Sequence, residues 1–436
     1  MDYPQFTKEM RKDYTILFPN MAPDHFKLLN RVFQFYGYHT AVPTIEGRPT
    51  IDEGLKYVHN DTCYPALICI GQMIYTIKNG PYDPHKVALM MPQTGGGCRA
   101  SNYIFLLRKA LEKAGLGFVP VISLNFNGLE SCPGFRPTLP MVRRAMASLA
   151  YGDLLMLLRN QTLPYEIHKG DSEALLDSWV DRLCELFSHG KGLSTAAMTK
   201  WFGKIAQEFA QIPCDRSQKK VKVGVVGEIY VKFAPFANNH LVDFLWSQDC
   251  EVMVPGLLEF ILYCVQDNLE DYRLYGDGRV IQKVSIIARN YLMKIKDALG
   301  KAAKDNGFTP ASSFLHLASL ADGVIDRGCK MGEGWLLTAE MIELIELGYE
   351  NIVAVQPFGC LPNHIVAKGM VRTVKERHPN ANIVPIDYDP GATVVNQQNR
   401  IKLMLSIAKE RLEGNSSDFA RAAALPAEAV CTASAK

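Results

Sequence analysis

The chain has 436 residues, 48% apolar and 21% charged, which is the make-up of a globular protein with room for two or three domains and excludes a disordered or fibrous one. Its 47 Lys and Arg against 45 Asp and Glu leave a formal net charge of +2, so neither nucleic acid nor an anionic membrane is indicated as a partner. The N-terminus, MDYPQFTKEMRKDY, lacks the apolar core of a secretory signal, and no later run approaches the roughly 18 residues that cross a bilayer. The expectation is a cytoplasmic protein whose 11 cysteines are reduced, some serving as metal ligands or reactive groups.

In chain order, TILF from Thr15 reads as a short strand, Asp24 to Phe35 as a helix with Phe26, Leu29 and Phe33 on one face, and HTAVP as extended. Lys86 to Met91 is a strand and Ser101 to Ala114 a helix stopped by Gly115; GFVPVISL is a strand again. Strand, helix, strand at this spacing implies a parallel α/β sheet over residues 1–140. Residues 141–216 carry helical patterns such as WVDRLCELF and read as a helical connector. A second α/β unit, 217–412, opens with the strand VKVGVVGEIY, the helix ANNHLVDFLWSQ and the strand CEVMVPG. It is interrupted by a helical insertion from about Leu257 to Leu320. It resumes with NIVAVQPF as strand, His364 to Arg377 as helix, ANIVPIDY as strand and Asn399 to Leu412 as helix. The tail, 413–436, has no apolar period and reads as mobile.

In open parallel sheets, ligands gather where strands hand over to helices. Cys98, in PQTGGGCRASNY, follows a strand, and the glycines before it, Gly96 and Gly97 among them, let backbone amides turn toward an anion. Cys360, in QPFGCLPNHI, has Gly359 before it and Pro362 suited to a first helical turn. Cys63, in NDTCYPAL, follows the capping pair Asp61 and Thr62 and precedes Pro65. Cys329, in DRGCKMGEGW, is a weaker fourth. Buried free cysteine is common simply as a small apolar residue, and that reading suits Cys69, Cys184, Cys250 and Cys264. Cys214 and Cys431 have no convergent partners, and Cys132, before Pro133, stays ambiguous. There is no CxxC pair. Thiolates without paired histidines suit an iron-sulfur cluster or structural zinc, assembled by the fold and not by a local loop. Glu228, Glu333 and His364 are weak candidates for acid–base work, against capping or surface roles. VGVVGE is not GxGxxG, and its support for a dinucleotide site is weak.

The runs GEGWLLTAEM, NIVAVQPFGCLPNHIVAKGM and ANIVPIDYDPGATVVNQQNRIKLML, with NDTCYPA, PQTGGGCRASNY and GEIYVKFAPFANNHLVDFL, resemble the acyl-CoA dehydratase activase-related proteins, a branch of the 2-hydroxyacyl-CoA dehydratase superfamily. The resemblance implies two flavodoxin-like (Rossmann-like) parallel-sheet domains with helical insertions, enclosing a 4Fe-4S cluster. It implies Cys63, Cys98 and Cys360 as ligands, with Cys329 fourth. A separate ATP-hydrolysing activase of the actin and sugar-kinase fold would deliver a low-potential electron for radical dehydration of a 2-hydroxyacyl-CoA. A sister branch implies one alternative, a double-cubane reductase of small molecules, needing Cys132 or Cys329 as well; a non-catalytic electron-transfer or scaffold subunit is a separate, third reading. A second dehydratase-like subunit or a homodimer is a further expectation.

Overall fold

The computed structural model describes residues 3–59, 61–93, 97–125, 130, 132–276 and 278–414. Gly96, Cys431 and nearly all of the tail lie outside them. Strands β1 (Thr15–Leu17), β2 (His39–Ala41), β3 (Val87–Pro92) and β4 (Val121–Leu124) pair as β2-β1-β3-β4. Strands β5 (Val221–Gly227), β6 (Cys250–Met253), β7 (Asn351–Pro357) and β8 (Asn382–Tyr388) pair as β6-β5-β7-β8. Every pairing is parallel. Both sheets thus have the same second-first-third-fourth order, the flavodoxin-like arrangement, with a topological switch point between first and third strands.

The helices follow in chain order. Helix α1 (Pro23–Phe35) leaves β1, α2 (Arg48–Tyr57) and α3 (Tyr64–Asn79) lie between β2 and β3, and α4 (Tyr103–Lys113) precedes β4. Helices α5 (Leu139–Thr162), α6 (Asp171–Ser188) and α7 (Thr195–Ala210) join the two sheets. Then come α8 (Ile229–Phe233) and α9 (Leu241–Ser247), followed after β6 by α10 (Leu257–Tyr275), α11 (Arg279–Asp305), α12 (Phe314–Leu320) and α13 (Gly334–Glu346). Helices α14 (Leu361–Val366), α15 (Val371–Arg377) and α16 (Val394–Leu412) complete the second unit. No helix among the described residues is long and apolar enough to cross a membrane.

Alternation along the strands divides the interior into two cores, and each core is common to both sheets. Ile16, Ala88 and Ile122 join Val226, Ile352 and Ala354 on one side. Leu17, Leu89 and Met91 join Val225, Val353 and Val355 on the other. Successive strand side chains point to opposite faces, so each sheet is covered on both, which is why its strands read as unbroken apolar runs. The two units are therefore held in one fixed relation by shared apolar burial.

Two local departures from the sequence reading have clear causes. The segment read as one helix from His364 to Arg377 breaks into α14, a 3-10 turn at Lys368–Met370 and α15. The Thr338 hydroxyl, from α13, donates to the Val366 carbonyl at 2.6 Å, and so occupies an acceptor of the main-chain ladder just before the break. Helix α2, absent from the sequence reading, crosses α3 closely: a Cβ on Gly71 would lie 2.2 Å from the Thr50 carbonyl. The crossing seats the start of α3, and with it Cys63.

Candidate functional site

Cys63, Cys98 and Cys360 each occupy the N-cap of a helical segment, with extended backbone: Cys63 opens α3, Cys98 opens the 3-10 turn Arg99–Asn102 that runs into α4, and Cys360 opens α14. Two of them come directly after strands. Cys63 does not: it follows α2, so the expectation of three strand-to-helix turns is corrected to two strand-to-helix turns and one helix-to-helix turn. The cap of α3 is likewise Cys63 itself and not the Asp61–Thr62 pair.

The turns meet across the gap between the sheets. The Tyr64 amide donates to the Phe358 carbonyl at 3.0 Å, tying the start of α3 to the end of β7. A Cβ on Gly359 would lie 3.2 Å from Cys63 Cα, and Gly359 has φ +74. Only a residue without a side chain brings the two cysteine turns this close in that left-handed conformation. Tyr103, five residues beyond Cys98, sets its hydroxyl 2.8 Å from Cys63 Sγ. The Gly97 amide lies 3.2 Å from Met331 Sδ, joining the Cys98 turn to the loop before α13.

Glu228 is the common neighbour. It is the N-cap of α8 at the end of β5, where Oε2 accepts from the Val231 amide at 2.9 Å. In its ionised form it would raise all three thiols, so it lies near each of them. Burial first, and then the charge of Glu333, pushes its carboxyl up to about 8. Glu333, the N-cap of α13, is raised by burial, yet it accepts from the Ile229 amide at 2.9 Å and from Asn363 Nδ2 at 2.8 Å. The charge of one disfavours ionisation of the other. Burial favours the protonated form of both, and the two hydrogen bonds to Glu333 favour its charged form, so the proton sits preferentially on Glu228. Neither is a surface group: both are under a tenth exposed.

Asn363 Nδ2 also donates to Cys360 Sγ at 3.4 Å, so Glu333 orients Cys360 through one amide. His364 meets Gln356 Nε2 through Nδ1 at the end of β7, at the edge of the same cleft. Burial, set against smaller hydrogen-bonding effects, raises the thiols of Cys63 and Cys360 and pushes Cys98 up to about 11. Behind this layer Lys232 and Glu340 pair at 3.3 Å in the interior, and Lys296 pairs with Glu259.

Cys329 is exposed; its carbonyl accepts from the Trp335 amide at 2.7 Å, on the loop whose Met331 touches Gly97. Cys132 is half-buried, and its thiol reaches the Phe6 carbonyl at 3.6 Å, on the N-terminal segment. Cys69 and Cys250 are buried, in line with a packing role. Cys264 is not: it is exposed on α10, contrary to its apolar context in sequence. Tyr103, Asn363 and Gln356 went unnoticed in the sequence. The signal for Asn363 was its position three residues beyond a cap, where a side chain reaches back to the capping group.

The donor set fits an iron-sulfur cluster. Three thiols open helical segments, with a tyrosine hydroxyl and a carboxamide directed at two of the sulfurs, as supporting groups around a metal centre are. Two buried acceptors beside Cys360, Gln356 Oε1 and Asn363 Oδ1, have no hydrogen-bond partner. Among the described residues no three His, Cys, Asp or Glu side chains are arranged to hold a single metal ion. A cubane asks for wider spacing than that, because each thiolate binds a different iron. No protein-family model matches the chain, and no curated protein matches it in sequence.

Proposed function

We propose that this chain is the cluster-bearing component of a 2-hydroxyacyl-CoA dehydratase-type system, with Cys63, Cys98 and Cys360 as the protein ligands of a 4Fe-4S cluster. The observation that carries the reading is the meeting of three helix-opening thiols around one buried glutamate, with the Cys63 and Cys360 turns in direct contact. When bound, such a cluster supplies low-potential one-electron chemistry and, with three thiolates, one iron open to a substrate oxygen.

The protein residues have separable roles in this reading. Tyr103 and Asn363 orient the sulfurs of Cys63 and Cys360. Glu333 holds Asn363, and Glu228, its carboxyl pushed up to about 8, is the group placed to give a proton to a leaving hydroxyl. The expected electron donor is a separate ATP-hydrolysing activase, and the substrate an acyl-CoA. The exposed side chains of Phe358, Leu361 and Ile365 around Cys360 offer an approachable rim. Cys132, bonded to Phe6, lends no support to a double cubane.

Anaerobic purification followed by iron and acid-labile sulfide analysis tests the reading. About four irons per chain are expected, and about eight for a double cubane. Folded protein that holds neither element after reconstitution under reducing conditions excludes the cluster. Single Cys→Ser changes at 63, 98 and 360 should each abolish or convert the paramagnetic signal of the reduced cluster, and Cys184→Ser should leave it unchanged. Turnover of 2-hydroxyacyl-CoAs with an added activase separates an enzyme from an electron-transfer or scaffold subunit.

A further inference from the structure

The carboxyls of the site continue as a buried row. Along α13 and its cap, Glu333, Glu340 and Glu343 stand seven and then three residues apart, which puts them on one face of the helix, and all three are buried. The row ends near solvent: Glu343 Oε1 accepts from the Ser312 amide at 2.7 Å, on the partly exposed segment before α12. Glu333 and Glu340 are two helical turns apart, about 10 Å along the axis, too far for a direct hydrogen bond. Lys232 fills that interval. It lies one turn beyond Glu228, its Nζ is 3.3 and 3.4 Å from the two oxygens of Glu340, and its charge favours the ionised forms of Glu228 and Glu333 as well.

Glu259 of α10, whose charge bears on both Glu340 and Glu343, pairs with Lys296 of α11, and its Oε2 is buried with no hydrogen-bond partner. Asp153, which bears on Lys296 too, is taken up by His25 and by the amides of Leu257 and Leu258. Five buried carboxyls, Glu228, Glu259, Glu333, Glu340 and Glu343, thus face two buried lysines. With all five ionised, three negative charges would stand unbalanced in the interior. Several kcal/mol for each is a cost that the fold avoids by keeping protons in the row. Burial pushes Glu340 and Glu343 each up to about 7, so a proton passes between them at neutral pH with little change in free energy.

We infer that Glu340 is a proton-relay residue, which reloads Glu228 from solvent by way of Lys232. The inference rests on the proposed function, in which Glu228 gives its proton to a leaving hydroxyl and the hydroxyl departs as water. The Glu228 carboxylate then takes a proton from the Lys232 ammonium, and the resulting amine takes one from the Glu340 carboxyl. Glu343 restores Glu340, and water at the Ser312 segment restores Glu343. One proton enters for each that leaves, and no other group changes.

Glu340→Gln is the test, because the amide keeps the volume and accepts from Lys232 but has no acid proton. In iron-loaded protein turning over a 2-hydroxyacyl-CoA with activase, kcat should fall at least ~10-fold, and the solvent deuterium isotope effect on kcat should rise as proton supply becomes limiting. KM, iron content and the paramagnetic spectrum should stay as in wild type. Glu340→Asp should recover part of the rate, and Glu346→Gln, at the exposed end of α13, should change nothing. Infrared titration of the same protein around neutral pH should show a buried protonated carboxyl that is absent from Glu340→Gln. If that variant does not fold, Glu343→Gln, which keeps the Ser312 hydrogen bond, is measured in its place with the same expectations. A normal kcat and isotope effect in the folded variant overturn the inference and leave the proposed function standing. A lower kcat with an unchanged isotope effect marks a structural role and also overturns it. A chain that holds no iron, or holds it and does not turn over, fails the proposed function first and takes the inference with it.

Discussion

Replacing Gly359 by alanine tests the close approach of the Cys63 and Cys360 turns, and Gly115 supplies the control. The two glycines share the same left-handed backbone, φ +74 and +75, but a Cβ at Gly115 meets nothing within 4 Å, whereas one at Gly359 lies 3.2 Å from Cys63 Cα. Gly115→Ala therefore carries only the cost of alanine in that conformation, about 1–2 kcal/mol, offset in part by the reduced freedom of its unfolded chain. Gly359→Ala carries the same cost plus the work of moving backbone by a few tenths of an ångström in a packed interior, on the order of 1–3 kcal/mol more. Urea denaturation measures the difference, and iron content per chain measures its effect on the site. Gly359→Ala should be the less stable of the two and should hold less iron, while Gly115→Ala keeps its iron. Equal stability losses in the two variants would refute the claimed contact, whatever the metal content.

The buried pair behind the site gives a second test: Lys232→Met strands Glu340 in the interior and should cost about 3 kcal/mol in urea unfolding, most of it regained in Lys232→Met with Glu340→Leu. A loss below about 1 kcal/mol in the single variant would contradict that burial. A third concerns Asp267, whose carboxyl is pushed from 3.8 up to about 7, chiefly by burial, with the Trp335 indole N–H and the Lys330 charge opposing. A carboxyl raised in the fold prefers its protonated form there. Its contribution to stability is thus complete below about pH 4 and lost as the pH rises through 7. Asp267→Asn should flatten the decline in unfolding free energy over that window, and an unchanged slope would show that Asp267 does not cause it.

Helical and strand patterns in the sequence marked both parallel-sheet units, because a strand covered on two faces is written as an unbroken apolar run and a helix as a periodic one. Cys98 and Cys360 were legible for a similar reason: glycine before a thiol and proline after it mark a chain leaving a strand and entering a helix. Cys63 was found by its helix start alone, with the helix before it missed, since α2 is half polar and its fit to α3 depends on two glycines facing each other. Cys264 shows the converse. Its apolar context suggested burial, but the side of α10 that it occupies is uncovered, and local sequence does not say what lies opposite a helix face.

Composition and local periodicity determined most of the strands and helices and the places where thiols open helices, which depend on residues near one another in the chain. The meeting of residues 63, 98 and 360 and the burial of Glu228 near the charge of Glu333 were decided only by tertiary structure. Each depends on how far apart two surfaces end up, and that distance follows from the two cores the sheets share, to which residues along the whole chain contribute.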